Sequence, residues 1–329
     1  MLTDRQNKTL KLIIEKYIKE PIPVGSKSIS KELKCSSATV RNDMMALENF
    51  GLLEKTHTSS GRIPSEKGYR YYVDNLMELK EMNAEDMLKL QIVFKNQQLA
   101  LSDVITKSLQ VISDMMNYTT VVLGSTSHEN LLKQVEVVPI DESNMIVIVV
   151  TDKGHVEHKN IKLEDVSVEE VKKTITLINN LVSGTPIDEV VHKLEFEIKP
   201  IIGNYVKQHE QLYKVFYNVF NDFTNQEVNV VGRNKMLEQP EFSSNIDKIK
   251  NVYNKLEDKE LLKNIEEDDD NNIKVYIGDE TNIDSDVTMI KTKYKKDGQE
   301  GTIAIIGPKR MEYDRVVNML EYLKKNIER

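Results

Sequence analysis

One segment near the N-terminus combines small and hydrogen-bonding side chains in a pattern that is unusual for a surface helix. It reads CSSATVRNDMMALENFGLLEK from Cys35 to Lys55, and its apolar residues at positions 40, 44 and 47 have the spacing of a buried helix face. The opposite face, flanked by Thr39 and Arg41, carries Ala38, Asn42, Met45 and Asn49. Asn pairs bidentately with adenine, Arg with guanine, and an Ala methyl group contacts the thymine methyl. The segment therefore predicts a helix that reads base edges, with packing against another protein as the alternative interpretation.

Residues around this helix have the chemistry needed to hold a phosphate backbone. Hydroxyl and backbone N–H groups at a helix start suit a phosphate oxygen, and Ser36 and Ser37 occupy that place. Arg62 beside Gly61 lies at the tip of a predicted ribbon, where an arginine can enter a narrow minor groove. The candidate DNA-binding residues are Ser36, Ser37, Ala38, Thr39, Arg41 and Asn42 on the helix, Lys55, His57 and Arg62 in the ribbon, and Lys67 and Arg70 beyond it.

Capping and helix-breaking residues divide residues 1–77 into short elements. Thr3, with Gln6 as its capping-box partner, begins the first helix, and two prolines end it. A short second helix and a tight turn follow, after which Ser36 or its neighbour caps the third helix and Gly51 closes it. LLEKTHTSSGRIP predicts two extended limbs around a turn, and Ser65 can cap a further helix. This order is typical of a winged helix-turn-helix.

The charge distribution separates this N-terminal region from the rest of the chain. The 329 residues carry a net charge of −8, which taken as an average disfavours binding to a polyanion. Residues 1–77, however, hold 13 Lys and Arg against 9 Asp and Glu, a net charge of +4, and the remainder carries −12. A basic head on an acidic body indicates that one domain meets nucleic acid and the other does not.

Beyond residue 77 the apolar pattern predicts a larger region of helices and strands. Residues 78–118 indicate helix, first as a connector to about residue 101 and then as a new helix from 102. The predicted strands are TTVVLG, KQVEVVPI, NMIVIVVTD, IKVYIGD, VTMIKTKYK and GTIAIIG, and the predicted helices are 168–183, 200–223, 245–265 and one from Met311. This order predicts one sheet domain interrupted by an insertion, in which strands near 132–151 pair with strands near 273–306.

The sequence carries no signature of catalysis or of cofactor binding. It has no Walker-type phosphate loop, no G-x-G-x-x-G after a strand and no G-x-S-x-G elbow. His155 and His158 lie three apart in an extended stretch, so they would point to opposite faces and not share a metal. The acidic run EEDDDNN resembles an EF-hand loop but has Ile273 where the sharp turn needs glycine, and Asp279 and Glu280 are interpreted as a strand-ending turn. We therefore predict no catalytic residue, no cofactor and no metal.

The same composition indicates a cytoplasmic protein. A single cysteine excludes an internal disulfide and is typical of a reducing compartment. The longest aliphatic run, Met145–Val150, is too short to span a bilayer, and the polar N-terminus predicts no export.

Several motifs together resemble a known family, the heat-inducible transcription repressors called HrcA. SSATVRNDMMALENFG followed by THTSSGRIPSEKGYRYYVD, from Thr56 to Asp74, carries the most specific part of this resemblance. It continues in QPEF at 239–242, IGDE at 277–280 and IGPKRMEYDRVV at 306–317, and so extends over nearly the whole chain. Ser60 stands where the family commonly has Ala, and Lys309 where Thr is frequent.

The resemblance implies an α+β multidomain protein. Its expected parts are a winged-helix DNA-binding domain at 1–77, a helical connector at 78–101, a GAF-like domain at 102–153 and 233–329, and an inserted, helix-rich dimerisation domain at 154–232. The resemblance also implies a homodimer that binds double-stranded DNA at an inverted repeat called CIRCE and represses chaperone operons. In the family the chaperonin GroEL promotes the active repressor, and heat stress removes that help by occupying the chaperonin with misfolded proteins. No residue of this sequence can be assigned to the chaperonin contact.

Two other functions stay open at this point. A winged-helix repressor could be gated by a small molecule in the GAF-like domain, because that domain class often holds ligands. Ligand-dependent shifts in melting temperature would identify it. An enzyme fused to a DNA-binding head is the other alternative, and the missing catalytic motifs argue against it.

Overall fold

The computed structural model divides the chain into two compact units. It describes residues 2–55, 61–95, 101–123, 131–141, 143–152, 154, 156–162, 167–199, 213–220, 228–243, 245–258, 261–262, 272–296 and 299–329. The first unit comprises Met1–Val122, Val230–Tyr294 and Thr302–Arg329, and the second comprises Leu123–Asn229 and Lys295–Gly301. Among the helices in these ranges, none is both long and apolar enough to cross a membrane.

Three side-chain caps begin the main helices of the N-terminal head, residues 2–77. The Thr3 hydroxyl accepts from the Gln6 N–H at 3.3 Å, and the Gln6 side chain accepts from the Thr3 N–H at 2.9 Å, which confirms the predicted capping box. Ser36 and Ser65 cap two further helices, as predicted, each by accepting from one backbone N–H of the first turn, of Thr39 and Gly68 respectively. The helices are α1 (Asp4–Lys19), α2 (Ser26–Ser30), α3 (Ser37–Asn49) and α4 (Glu66–Asn75).

A short antiparallel ribbon, the wing, lies between α3 and α4. Strands β1 (Leu53–Lys55) and β2 (Arg62–Pro64) pair with Lys55 opposite Arg62. Val24 adds a third limb, because its N–H and C=O exchange hydrogen bonds with the backbone of Arg62 at 2.9 Å. A Cβ atom at Gly61 would lie only 2.8 Å from Pro23, so the close approach of this limb requires glycine. Helices and wing together confirm the winged helix-turn-helix.

Apolar side chains hold the head together and continue into the rest of the first unit. The buried residues of the head include Leu10, Ile13, Ile14, Ile29, Val40, Leu47 and Leu53. On α4, the rings of Tyr69 and Tyr72 lie 6.0 and 6.3 Å from the ring of Tyr313. Tyr313 is fully buried, so the head shares its core with the C-terminal part of the chain.

The remainder of the first unit is built on a five-stranded sheet. Its strand order is β7-β3-β10-β9-β8, which brings residues near 120 beside residues near 305. The strands are β3 (Thr119–Leu123), β7 (Val228–Val231), β8 (Lys274–Ile277), β9 (Val287–Lys296) and β10 (Gln299–Pro308). The helices are α5 (Ala84–Phe94), α6 (Leu101–Met116), α10 (Arg233–Leu237), α11 (Pro240–Ser243), α12 (Ile246–Glu257) and α13 (Tyr313–Ile327). The IGDE motif forms a 3-10 turn at Gly278–Thr281, which confirms the predicted strand-ending turn.

The second unit contains its own antiparallel sheet of three strands, in the order β4-β5-β6. Strand β5 alternates between buried and half-buried residues, and its buried side chains at 145, 147 and 149 share a core with α7. The elements are β4 (Leu132–Pro139), β5 (Asn144–Thr151), β6 (Val156–Lys162), α7 (Val168–Val182), α8 (Ile187–Lys193) with a π-helical turn at Leu194–Ile198, and α9 (213–220).

This topology corrects the predicted strand pairing. Residues 132–151 form the hairpin β4–β5, and β5 also pairs with β6, so the expected pairing of these strands with strands near 273–306 is wrong. The physical reason is local: the Asp141 side chain accepts from the backbone N–H groups of Ser143 and Asn144 at 2.9 and 2.7 Å and closes a tight turn. Strand β3 instead joins the sheet of β8–β10. The GAF-like and dimerisation assignments stay predictions, although strands 132–151 belong to the same compact unit as most of the proposed insertion.

The helix predictions beyond the connector agree with the structure to within a few residues wherever their residues are described. Helix α7 confirms 168–183, and α13 confirms the helix that closes the chain. The connector is only partly helical, since α5 begins at Ala84 after a non-helical stretch. Of the predicted helix 200–223, residues 213–220 are helical and the others lie outside the described residues, as does most of the acidic run EEDDDNN.

A buried ion pair attaches α13 to α5 and generates a first prediction. The carboxylate of Asp86, 4% exposed, accepts from Arg315 Nε and Nη2 at 2.8 and 2.9 Å, and this hydrogen bonding raises the pKa of Arg315. Arg315→Met leaves that carboxylate without a cation and with only the Asn83 side-chain amide donating to it, at 2.8 Å. The change should lower the free energy of unfolding by about 2 kcal/mol, less than for a fully buried pair because Arg315 is itself partly exposed. Urea unfolding followed by circular dichroism measures the change. The control is Lys325→Met, because Lys325 is exposed on the same helix. Equal urea midpoints for Arg315→Met and Lys325→Met would contradict the prediction.

Candidate nucleic-acid interface

Helix α3 presents the two faces that its sequence predicts. Val40, Met44 and Leu47 are buried against the head core. The opposite side is exposed and consists of Ala38, Arg41, Asn42, Met45 and Asn49. Thr39 lies half-buried beside this face, and its hydroxyl shares a hydrogen bond of 2.9 Å with that of Ser36. The predicted face therefore exists as a continuous outer surface of α3, hereafter the α3 face.

Both acidic side chains of α3 are paired with arginines from outside the helix. Asp43, 5% exposed, accepts from Arg5 Nε and Nη2 at 2.7 and 3.2 Å, which raises the pKa of Arg5. Glu48 accepts from Arg62 Nε and Nη2, each at 2.8 Å. The α3 face thus carries no unpaired carboxylate that would repel a phosphate.

Neither of these partners was predicted from the sequence. The sequence does indicate that Asp43 needs a cationic partner. Asp43 stands among the buried positions 40, 44 and 47, and a carboxylate on the inward face of a helix requires a cation. Nothing comparable marks Arg5 as that cation, since it lies 38 residues away in sequence.

The serines at the start of α3 have structural partners. Ser36 Oγ accepts from the Thr39 N–H at 3.1 Å as the N-cap. Ser37 Oγ shares a hydrogen bond of 2.8 Å with Ser26 Oγ, which joins the starts of α2 and α3. The two serines therefore hold the helix-turn-helix geometry, and their contact with a phosphate stays a prediction.

Of the residues predicted to contact DNA from the wing, Lys55 is exposed and Arg62 is mostly buried. Lys55 is exposed at the end of β1. Arg62 lies on β2 with its side chain only 12% exposed and directed at Glu48, and so it is not a free arginine at the tip of the wing. His57 lies outside the described residues, and its predicted role is unchanged.

The two cations of α4 that were predicted to contact phosphates differ in exposure and in their bonding partners. Lys67 is exposed and donates from Nζ to the backbone oxygen of Phe50 at 3.1 Å. Arg70 donates to the backbone oxygen of Val275 at 2.7 Å and forms an ion pair with Glu280 in the 3-10 turn. Arg70 is therefore engaged with the sheet of the first unit, and this placement does not favour the predicted phosphate contact.

A row of lysines next to α3 was missed by the sequence analysis. Lys27, Lys31 and Lys34 run through α2 and the turn that leads to α3, at spacings of four and three residues. All three are exposed, and none forms an ion pair with a described carboxylate. In a helix-turn-helix the first helix crosses the DNA backbone, so charge at this place suits phosphate. The helical spacing of these lysines was visible in the sequence.

Known proteins resemble the chain along nearly its whole length. Residues 1–77 match the family described as "Winged helix-turn-helix transcription repressor, HrcA DNA-binding", and residues 102–317 match "HrcA protein C terminal domain". The heat-inducible transcription repressor HrcA of Bacillus pumilus (strain SAFR-032) is 36% identical over 334 aligned residues, which cover 99% of this chain and 97% of that protein.

A solved structure shows the same fold. It is described only as a hypothetical protein at 2.2 Å resolution, and it superposes with a TM-score of 0.70 and 24% sequence identity. The match covers 99% of this chain and 98% of the other.

Substitutions on the α3 face should reduce specific binding without unfolding the head. Arg41→Ala and Asn42→Ala should each cost about 1–3 kcal/mol of binding to a cognate duplex, because each removes a predicted bidentate base contact. Fluorescence anisotropy titrations at one salt concentration measure the loss. Lys8→Ala and Asn75→Ala, exposed on α1 and α4, are the matched controls. If Arg41→Ala and Asn42→Ala bind as tightly as these controls, α3 is not the reading helix.

Proposed function

The chain belongs to the HrcA family of heat-inducible transcription repressors, and we propose that it acts as a homodimer on an inverted-repeat operator of the CIRCE type upstream of chaperone operons. Its winged helix at 1–77 is the DNA-binding domain, and the family is one of repressors, not a class of enzymes. The observation that carries the proposal is the α3 face, which is exposed, uncharged except for Arg41, and bordered by lysines.

In this proposal α3 enters the major groove. Asn42 and Arg41 contact base edges, and Ala38 and Thr39 lie beside them at the N-terminal end of the helix, which is the part of a recognition helix that reaches the bases. The neutral character of the remaining face supports this arrangement, since Asp43 and Glu48 are both paired within the head.

Phosphate contacts in the proposal flank the groove on both sides of α3. Ser36, Ser37 and the lysines at 27, 31 and 34 contact phosphates from the elements that precede α3 or begin it, and Lys55 and Lys67 from the elements that follow it. His57, which lies outside the described residues, keeps its predicted contact. A phosphate contact by Arg62 or Arg70 would require a guanidinium to be shared with Glu48 or Glu280, so we assign these arginines no primary contact. Each cation that neutralises one phosphate should contribute about 0.9 to the slope of log K against log salt.

Two copies of the chain are needed in this proposal because each head has one recognition helix. A two-fold dimer matches the symmetry of an inverted repeat, and the linked heads gain effective concentration on the two half-sites. The outer face of the second unit's sheet offers a central strip of apolar side chains for a second copy, with the exposed Glu136 and His158 opposite Ile148 on the two neighbouring strands. Ile146, Ile148 and Val150 lie half-exposed on the side of β5 away from α7, next to Val138 and Val156, which are 45% and 57% exposed.

The family's dependence on the chaperonin GroEL has a physical basis that this chain shares. The sheet of the first unit joins β3 to β10 across a long intervening segment, and such non-local pairing forms slowly. TIAIIG in β10 and MIVIVV in β5 are uncharged, β-prone runs that self-associate when exposed during folding. We propose that chaperonin raises the yield of active dimer by capturing such intermediates.

Binding measurements with three duplexes test the proposed function. Full-length protein should bind the inverted repeat at least about 10³-fold more tightly than a scrambled repeat. This is the lower end of the usual ratio between specific and non-specific affinity of DNA-binding proteins. A single half-site should bind less tightly than the repeat. Equal affinity for the repeat and the scrambled duplex would refute the proposed function.

A substitution on the second unit tests the dimer surface separately. Ile148→Asp places a carboxylate in the middle of the apolar strip of β5, opposite Glu136, and should convert dimer to monomer, because burying an unpaired carboxylate is unfavourable. Sedimentation velocity measures the mass, and operator affinity should fall by at least about 10-fold as the second head is lost. Asn160→Asp, exposed near the edge of the same sheet face, is the control. If Ile148→Asp remains dimeric with unchanged affinity, the surface does not mediate dimerisation.

A further inference from the structure

Arg62 occupies a central and well-bonded position in the head. Its backbone exchanges hydrogen bonds with Val24 at 2.9 Å, and it lies opposite Lys55 in the wing. Its guanidinium donates twice to one oxygen of Glu48 at 2.8 Å, and Nη1 donates to the backbone oxygen of Gly61 at 3.3 Å. The side chain is only 12% exposed, so its hydrogen-bonding capacity is directed into the head. Arg62 therefore links α3, the wing and the segment that precedes α2.

Glu48 borders the α3 face. It follows Arg41 by seven residues and Met45 by three, and these spacings place the three side chains along one side of a helix. The Glu48 side chain retains 34% exposure even when it is paired. Without a cation beside it, this carboxylate would stand at the edge of a surface that approaches phosphates, where like charges raise the free energy of binding.

We propose that Arg62 is a positioning residue for DNA binding: it neutralises Glu48 and fixes the wing against α3, and it does not itself contact DNA. The inference rests on the proposed DNA-binding function and reassigns the arginine for which the sequence predicts a minor-groove contact. In this role DNA binding depends on the net charge of the Arg62–Glu48 pair, which is zero. It does not depend on which of the two positions carries the positive charge. A direct DNA contact, in contrast, requires a cation at position 62.

Reversing the pair distinguishes these two roles. Arg62→Glu should weaken binding of full-length protein to the inverted repeat by about 100-fold, because two unpaired carboxylates then border the α3 face. The double variant Arg62→Glu with Glu48→Arg restores a neutral pair and should recover affinity to within about 5-fold of wild type. If the double variant binds as poorly as Arg62→Glu alone, Arg62 contacts DNA and the inference is overturned.

A second pair of variants covers the case in which the reversed pair does not pack. Arg62→Ala should weaken binding by about 10-fold, and adding Glu48→Gln should restore most of that loss together with the wild-type slope of log K against log salt. Loss of a phosphate contact would instead reduce the slope by about 0.9 in both Arg62→Ala and the double variant, and that result contradicts the inference.

The control is another ion pair of the head. Lys16 Nζ lies 2.7 Å from Glu32, with side-chain exposures of 37% and 46%. Lys16→Glu changes the charge of the head by the same amount as Arg62→Glu and should alter affinity by less than about 3-fold at 150 mM salt, where exposed charges are screened. An equal loss for the two single variants would show a general charge effect and overturn the inference. Wild-type protein that binds the repeat no better than a scrambled duplex would instead refute the proposed function.

Discussion

The arrangement of the head depends on the neutralisation of the two carboxylates of α3 by arginines that come from other elements. Asp43 is almost completely buried, and an unpaired charge at that depth would cost several kcal/mol. Its partner, Arg5, attaches the start of α1 to the middle of α3, while Arg62 attaches the wing to the end of α3. The same two contacts therefore fix the neighbours of α3 and leave its outer face without an unpaired negative charge. These two ion pairs therefore both stabilise the head and allow α3 to approach a polyanion.

The head is in turn held by α13, by the last strand β8 of the first unit's sheet and by the turn that follows it. Tyr69 and Tyr72 pack near the buried ring of Tyr313, and Arg70 binds the turn at Gly278–Thr281. Gly278 lies next to the carboxylate of Glu66, so α4 lies against that turn, and its φ of +61° is a backbone conformation that favours glycine. The sheet that contains this turn also joins β3 to the distant β10. Slow or failed formation of the sheet would thus remove the support of α4, which connects the folding of the body to the state of the DNA-binding head.

Much of the head could be predicted from the sequence because its signals are local. The capping box at Thr3, the N-caps at Ser36 and Ser65 and the apolar spacing of α3 each involve residues within a few positions of one another. The sheet pairing was predicted wrongly because apolar strands near 132–151 carry no information about their partner, and a tight turn after Asp141 favoured the nearest one. The partners of Arg62 and Arg70 lie 14 and 210 residues away in sequence. Charge and position marked both arginines as candidates for DNA contact, but only the folded chain brings Glu48 and Glu280 to them.

The central claim is that α3 reads base edges in the major groove, and base analogues test it most directly. In 7-deaza-adenine and 7-deazaguanine the N7 acceptor of the major groove is missing, whereas the minor-groove edge is unchanged. Full-length protein should lose about 1–3 kcal/mol of binding free energy when an analogue replaces a contacted base, at symmetric positions in the two halves of the inverted repeat. Inosine in place of guanine removes an amino group from the minor groove instead. The account would be contradicted if every deaza-substituted duplex bound with the same affinity while inosine substitution weakened binding.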